Sequence, residues 1–69
     1  MLSTTEDAIL LNFAAQWQPY GGPEASEIFL RFGIGRGEFR ARVHRALTRA
    51  GAADMDIKVY RSLLRYASG

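Results

Sequence analysis

Apolar residues recur at helical spacing in four separate stretches of the chain, and nowhere alternate with the period of two that a strand needs. In the first stretch Ile9, Phe13 and Trp17 lie four residues apart, with Leu10 and Ala14 beside them, which predicts one buried stripe. The helix carrying it is expected over about 4–18. Ser3-Thr4-Thr5-Glu6 has capping-box spacing, and Glu6 and Asp7 suit the positive end of the helix dipole. Pro19 and Tyr20-Gly21-Gly22-Pro23 end the helix, because proline disfavours the helical conformation before it and glycine supplies turn dihedrals. Pro23 then fits the first position of a second helix, about 23–32, with Ile28, Phe29 and Phe32 as its apolar side.

Gly33 follows the last periodic residue of that helix, where a left-handed cap is expected, and Gly33-Ile34-Gly35 forms a tight connection with Ile34 buried in it. A third helix is predicted from Arg36 to Ala50, ended by Gly51, with Phe39, Val43, Ala46, Leu47 and Ala50 on one arc. A fourth follows over about 55–67 with Asp54 or Asp56 as N-cap. Its main stripe is Ile57, Tyr60, Leu63, Leu64 and Ala67, and Val59 and Tyr66 fall to the side, exposed in a monomer. Trp17 and Tyr20 are expected to join Ile9 and Phe13 in clamping the first helix over the rest. The fold class is all-α: a small three- to four-helix domain, 1–69, containing a helix-turn-helix.

Composition narrows the chemistry. Sixty-nine residues leave room for one core. There is no cysteine, which removes disulfides and thiolate metal sites, and His44 is the only histidine, so no metal or other cofactor is expected. The longest apolar run, Ala8 to Leu11, is far shorter than a bilayer span, and the N-terminus lacks the basic and apolar regions of a signal peptide. A soluble protein of a reducing cytoplasm, without a membrane partner, is the expectation.

Charge is segregated along the chain. Residues 1–30 carry Glu6, Asp7, Glu24 and Glu27 and no Lys or Arg. Residues 31–49 carry six arginines against Glu38 alone, a net +5. Eight of the nine cations are arginine, the side chain suited to bidentate contact with phosphate or guanine.

Two short helices joined by a tight turn, the second longer and basic, have the layout of a helix-turn-helix. Ile28 and Phe32 face the core from the first helix, and Phe39, Val43 and Leu47 fasten the second onto it. The segment resembles the helix-turn-helix of sigma-factor-like and response-regulator-type DNA-binding domains. At about 100° per residue, Gly37, Ala41, His44 and Thr48 lie opposite the apolar arc of the third helix, with Arg40 and Arg45 flanking them. Small residues at the centre let the backbone approach a groove floor, while Arg40, Arg45 and, at the helix start, Arg36 reach base edges or phosphates. Arg42 and Arg49 sit toward the rim and suit phosphate.

Over most of its length the chain also resembles an uncharacterised family of short actinobacterial helix-turn-helix proteins. The likeness runs from Glu6-Asp7-Ala8-Ile9-Leu10 through Phe13, Gln16-Trp17, Tyr20 and Gly21-Gly22 into Phe32, Ile34 and Phe39. It implies DNA-binding regulation. Two positions depart from common helix-turn-helix usage: Gly35 stands where a capping Ser is frequent, and Phe29 where Ala is frequent.

Gly33-x-Gly35-x-Gly37 is no phosphate loop, because no strand precedes it and no Gly-Lys-Ser/Thr ending follows. His44 has no carboxylate four residues away, so an enzyme is not expected. The expected function is double-stranded DNA binding, as a small transcriptional regulator or nucleoid-associated protein, with a homodimer formed through the apolar surplus of helix 4. The alternative is a protein-binding adaptor whose Arg-rich helix docks on an acidic partner such as a transcription-machinery subunit.

Overall fold

The computed structural model describes residues 2–50 and 55–68, with side chains described at 6–49 and 55–68. Four α-helices follow one another, α1 (Leu2–Gln16), α2 (Ala25–Phe32), α3 (Arg36–Ala50) and α4 (Ile57–Ser68), with a short 3-10 turn at Gln18–Tyr20 after α1. No strand occurs among the described residues. α3 is the central element: it packs against α1, α2 and α4, most extensively against α4.

The core forms where those contacts meet. Ile28 from α2, Phe39, Val43, Ala46 and Leu47 from α3, and Leu63 from α4 are fully buried, closed over by Leu10, Leu11, Phe13 and Ala14 of α1. The arc expected on α3 is thus the buried one at these four positions; the side chain of Ala50 and residue Gly51 lie outside the described ones. Removing such side chains from water is the main stabilising term, at roughly 1.5–3 kcal/mol for each large one.

Several apolar positions point elsewhere than the periodicity suggested. Ile9 is 48% exposed, because α1 is gripped on one side by α3 and on the other by α4. Its buried arc therefore runs from Phe13 through Leu10 and Ala14 to Leu11, and Ile9 falls at its outer edge. Phe29 is 64% exposed, since the two-turn helix turns the face shared by Ile28 and Phe32 toward α1 and α3 and leaves the adjoining side open. Tyr20 is 77% exposed and Trp17 half-buried, so the expected clamp reduces to Trp17 and Phe13, whose rings tilt against each other at 6.3 Å. Ile57 is exposed, whereas Val59 and Tyr66 pack onto the core. The outward side of α4 carries Ile57, Lys58, Arg61 and Arg65, while Tyr60, Leu64 and Tyr66 stay partly exposed at its flanks.

The helix ends follow local chemistry. α1 already includes Leu2, so it begins upstream of the expected start, and the caps considered at Ser3 and Thr4 concern side chains outside the described ones. α2 begins two residues after Pro23, with Glu24 in an extended conformation as its N-cap. Pro23 itself is buried ahead of the helix. Gly33 closes α2 with φ +71°, its N–H donating to the Phe29 carbonyl at 2.7 Å. Ile34 is half-buried against the core, and the Gly35 carbonyl accepts the first bond of α3 from the Phe39 N–H at 2.9 Å. Asp56 caps α4, its Oδ1 accepting from the Lys58 N–H at 2.7 Å. Asp54, the other candidate, lies outside the described residues.

One junction joins the end of α1 to α4. The Ser62 hydroxyl donates to Gln18 Oε1 at 2.6 Å, and Gln18 Nε2 donates to the Ala14 carbonyl. Beside it, Gly22 (φ +103°) lies against the Tyr66 ring.

Candidate nucleic-acid interface

With one side of α3 committed to the core, the opposite side is fixed by the helical repeat. Gly37, Ala41, His44, Arg45 and Thr48 are all exposed there, and Arg36 is exposed at the start of the helix. No side chain of another element bonds to these residues among the described hydrogen bonds. Thr48 donates its hydroxyl proton to the His44 carbonyl at 2.9 Å, which leaves its oxygen as an acceptor and its methyl group available. Gly37 stands in open space, with nothing within 4 Å of where a Cβ would lie.

The other arginines between 31 and 49 are engaged within the chain. Arg42 Nε donates to Glu38 Oε2 at 3.0 Å, an i, i+4 pair on an open surface worth a few tenths of a kcal/mol. Arg49 makes a two-pronged contact across the fold, Nε and Nη2 donating to Asp7 Oδ2 and Oδ1 at 3.0 and 3.2 Å. This pairing ties the start of α1 to the end of α3, and the hydrogen bond and charge of Asp7 raise the Arg49 pKa further above its ordinary value. A raised cation pKa means the contact is fully present at neutral pH and is lost only as pH climbs through the arginine range. Arg31 lies over the Phe13 ring, its guanidinium carbon 5.4 Å from the centroid.

Arg40 sits differently from the other flanking arginine. It is half-buried, with its guanidinium carbon 5.0 Å above the Tyr66 ring and its Nε enclosed without a hydrogen-bond partner. Its place on the helix adjoins Leu47, on the side that meets α4, so much of the side chain works as packing between two helices. Arg40→Ala is expected to lower stability by about 1–2 kcal/mol through the lost stacking and packing, whereas Arg45→Ala leaves it unchanged. Chemical denaturation of the two variants checks this, and equal midpoints would refute the distinction.

No protein-family model matches the chain, and no curated protein or solved structure matches it. The site therefore stands on its own geometry.

Along the other flank of α3 runs an open groove of about 640 Å³, bounded by α1, the end of α2 and α3. Arg31, Arg42, Arg45 and Arg49 line it, with Glu6 and Asp7 at the α1 side and Ile9, Leu10 and Phe32 as apolar floor. Periodicity alone did not disclose the groove, because Arg31 and Ile9 reach it from two other helices; the surplus of arginine between 31 and 49 was its only trace in the sequence. Among the described residues no group of His, Cys, Asp or Glu could hold a metal ion, and no helix is long and apolar enough to cross a membrane.

Proposed function

We propose that the chain binds double-stranded DNA as a small transcriptional regulator or nucleoid-associated protein, with α2, the Gly33–Gly35 turn and α3 acting as a helix-turn-helix. The observation that carries this reading is the outward face of α3, where Gly37, Ala41, His44 and Thr48 are exposed beside Arg45, with exposed Arg36 at the helix start, while the remaining arginines of the helix are held by partners. Gly37 adds to it. It lies in the first turn of α3, and no neighbour in the fold occupies the place of its missing side chain, so the backbone there is open to close approach by a partner.

In this arrangement α3 lies in the major groove. Arg36 and Arg45 reach base edges or phosphates, His44 and Thr48 line the contact, and Gly37 and Ala41 admit the groove floor. Arg42 and Arg49 contact phosphate to the extent that DNA draws them from Glu38 and Asp7, and Arg40 holds the helix in place.

Fluorescence anisotropy with random-sequence duplex DNA, titrated from about 50 to about 200 mM salt, tests the proposal. Binding is expected to weaken steeply with salt, and the Arg36→Ala/Arg45→Ala double variant is expected to lose at least about tenfold in affinity, the lower end for a good arginine contact. Absence of binding by folded protein at low salt would overturn DNA recognition. It would favour the adaptor reading, which has its own support in the adjacent exposed Phe29 and Leu30 on α2.

A further inference from the structure

We propose that the groove between α1, α2 and α3 is a binding site for a small molecule that carries a di- or triphosphate and a flat ring, the chemistry of a nucleoside diphosphate. This site is separate from the Gly33–Gly37 segment and does not depend on DNA recognition.

Three observations converge on it. First, four guanidinium groups line one groove from two different helices. Arg42, Arg45 and Arg49 fall within about 60° of one another on α3, and Arg31 joins them from the end of α2. Only Arg42 and Arg49 have carboxylate partners among the described residues, so Arg31 and Arg45 leave two forked donor sets for an oxyanion. A guanidinium fork matches phosphate oxygens, two at a time. Second, Arg31 is pre-positioned by the Phe13 ring beneath it, which lowers the entropy lost when it binds. Third, the floor is apolar and uncovered: Ile9 is 48% exposed and Phe32 half-buried.

The distribution of charge also orients the ligand. Glu6 and Asp7 repel an anion at the α1 side, and Asp7 already occupies Arg49. Arg42 is paired with Glu38, so the phosphates belong toward Arg31 and Arg45, and the ring lies over Ile9 and Phe32, where arginine planes can stack on it. A volume of about 640 Å³ falls within the range of small-molecule sites.

The test uses the whole 69-residue chain, without DNA, in amide-resolved NMR titrations with ADP, pyrophosphate and adenosine at low salt. ADP is expected to saturate and to shift residues 6–10, 31–32 and 42–49, with pyrophosphate about tenfold weaker and adenosine weaker still. Arg45→Gln is expected to weaken ADP about tenfold, and Arg31→Gln similarly, with circular dichroism verifying that each variant is folded. Arg45 makes no contact that the fold needs, so its variant remains informative if Arg31→Gln proves unstable. Lys58→Gln/Arg61→Gln on α4 is expected to leave ADP binding unchanged. Failure to saturate at millimolar ADP, shifts spread equally over Lys58, Arg61 and Arg65, or ADP binding no tighter than pyrophosphate would each overturn the proposal. Since DNA is absent, a negative result leaves the DNA reading standing, and loss of DNA binding leaves this site standing.

Discussion

Phe39→Ala is expected to abolish the cooperative thermal transition of the protein. Phe39 is fully buried where three other elements meet α3. Its ring centroid lies 5.9 Å from that of Phe13 on α1, 5.7 Å from Phe32 on α2 and 6.3 Å from Tyr66 on α4. Truncating a buried phenylalanine costs about 3–5 kcal/mol, from lost burial and from the cavity left behind. A chain of this size has a total stability near the low end of about 5–15 kcal/mol, so one such loss consumes most of it. A melt followed by circular dichroism reads the outcome directly. A variant that melts cooperatively within a few degrees of the parent would show that the four elements do not converge on this ring.

Gly22→Ala is expected to cost more than Gly21→Ala, although both glycines have positive φ. At Gly21, with φ +83°, an added Cβ meets open space, so the cost is backbone strain alone. At Gly22, with φ +103°, the Cβ would lie 2.6 Å from Cε1 and 3.1 Å from Cδ1 of Tyr66. The ring must then move, and it cannot move alone, because it supports the Arg40 guanidinium on one contact and the edge of Phe39 on another. Strain of this kind costs about 1–3 kcal/mol before the repacking is counted. Urea denaturation of the two variants separates the cases; identical midpoints would mean that the Gly22–Tyr66 contact contributes nothing.

Local signals in the chain were read more fully than long-range ones. The bounds of α3 and the glycine cap at Gly33 could be read from neighbours in sequence, because periodicity and capping are properties of short windows. The start of α2 differs from the periodic pattern for a related reason: Pro23 suits a first helical position, yet Glu24 holds an extended backbone and the helix waits until Ala25. Ile9, Phe29 and Ile57 show a second limit. Helical spacing marks a residue as apolar and assigns its angle, but the partner helix decides which arc is covered. The candidate site divides in the same way. The outward strip of α3 followed from angle alone, whereas the engagement of Arg49 with Asp7, 42 residues away, and of Arg40 with Tyr66 depends on how the helices are assembled. Val59 and Tyr66, placed to the side of the α4 stripe by angle alone, pack onto the core for the same reason.

The division of labour around α3 bears on how such a protein can change over generations. The residues that hold it in place, Phe39, Val43, Ala46 and Leu47, are fully buried, whereas Gly37, Ala41, His44, Arg45 and Thr48 are exposed on the opposite side. Exposed positions without such contacts tolerate substitution within about 0.5 kcal/mol. The outward strip can therefore be rewritten, by drift or in a randomised library, without passing through unfolded intermediates, and a change of target need not wait for compensating changes in the core.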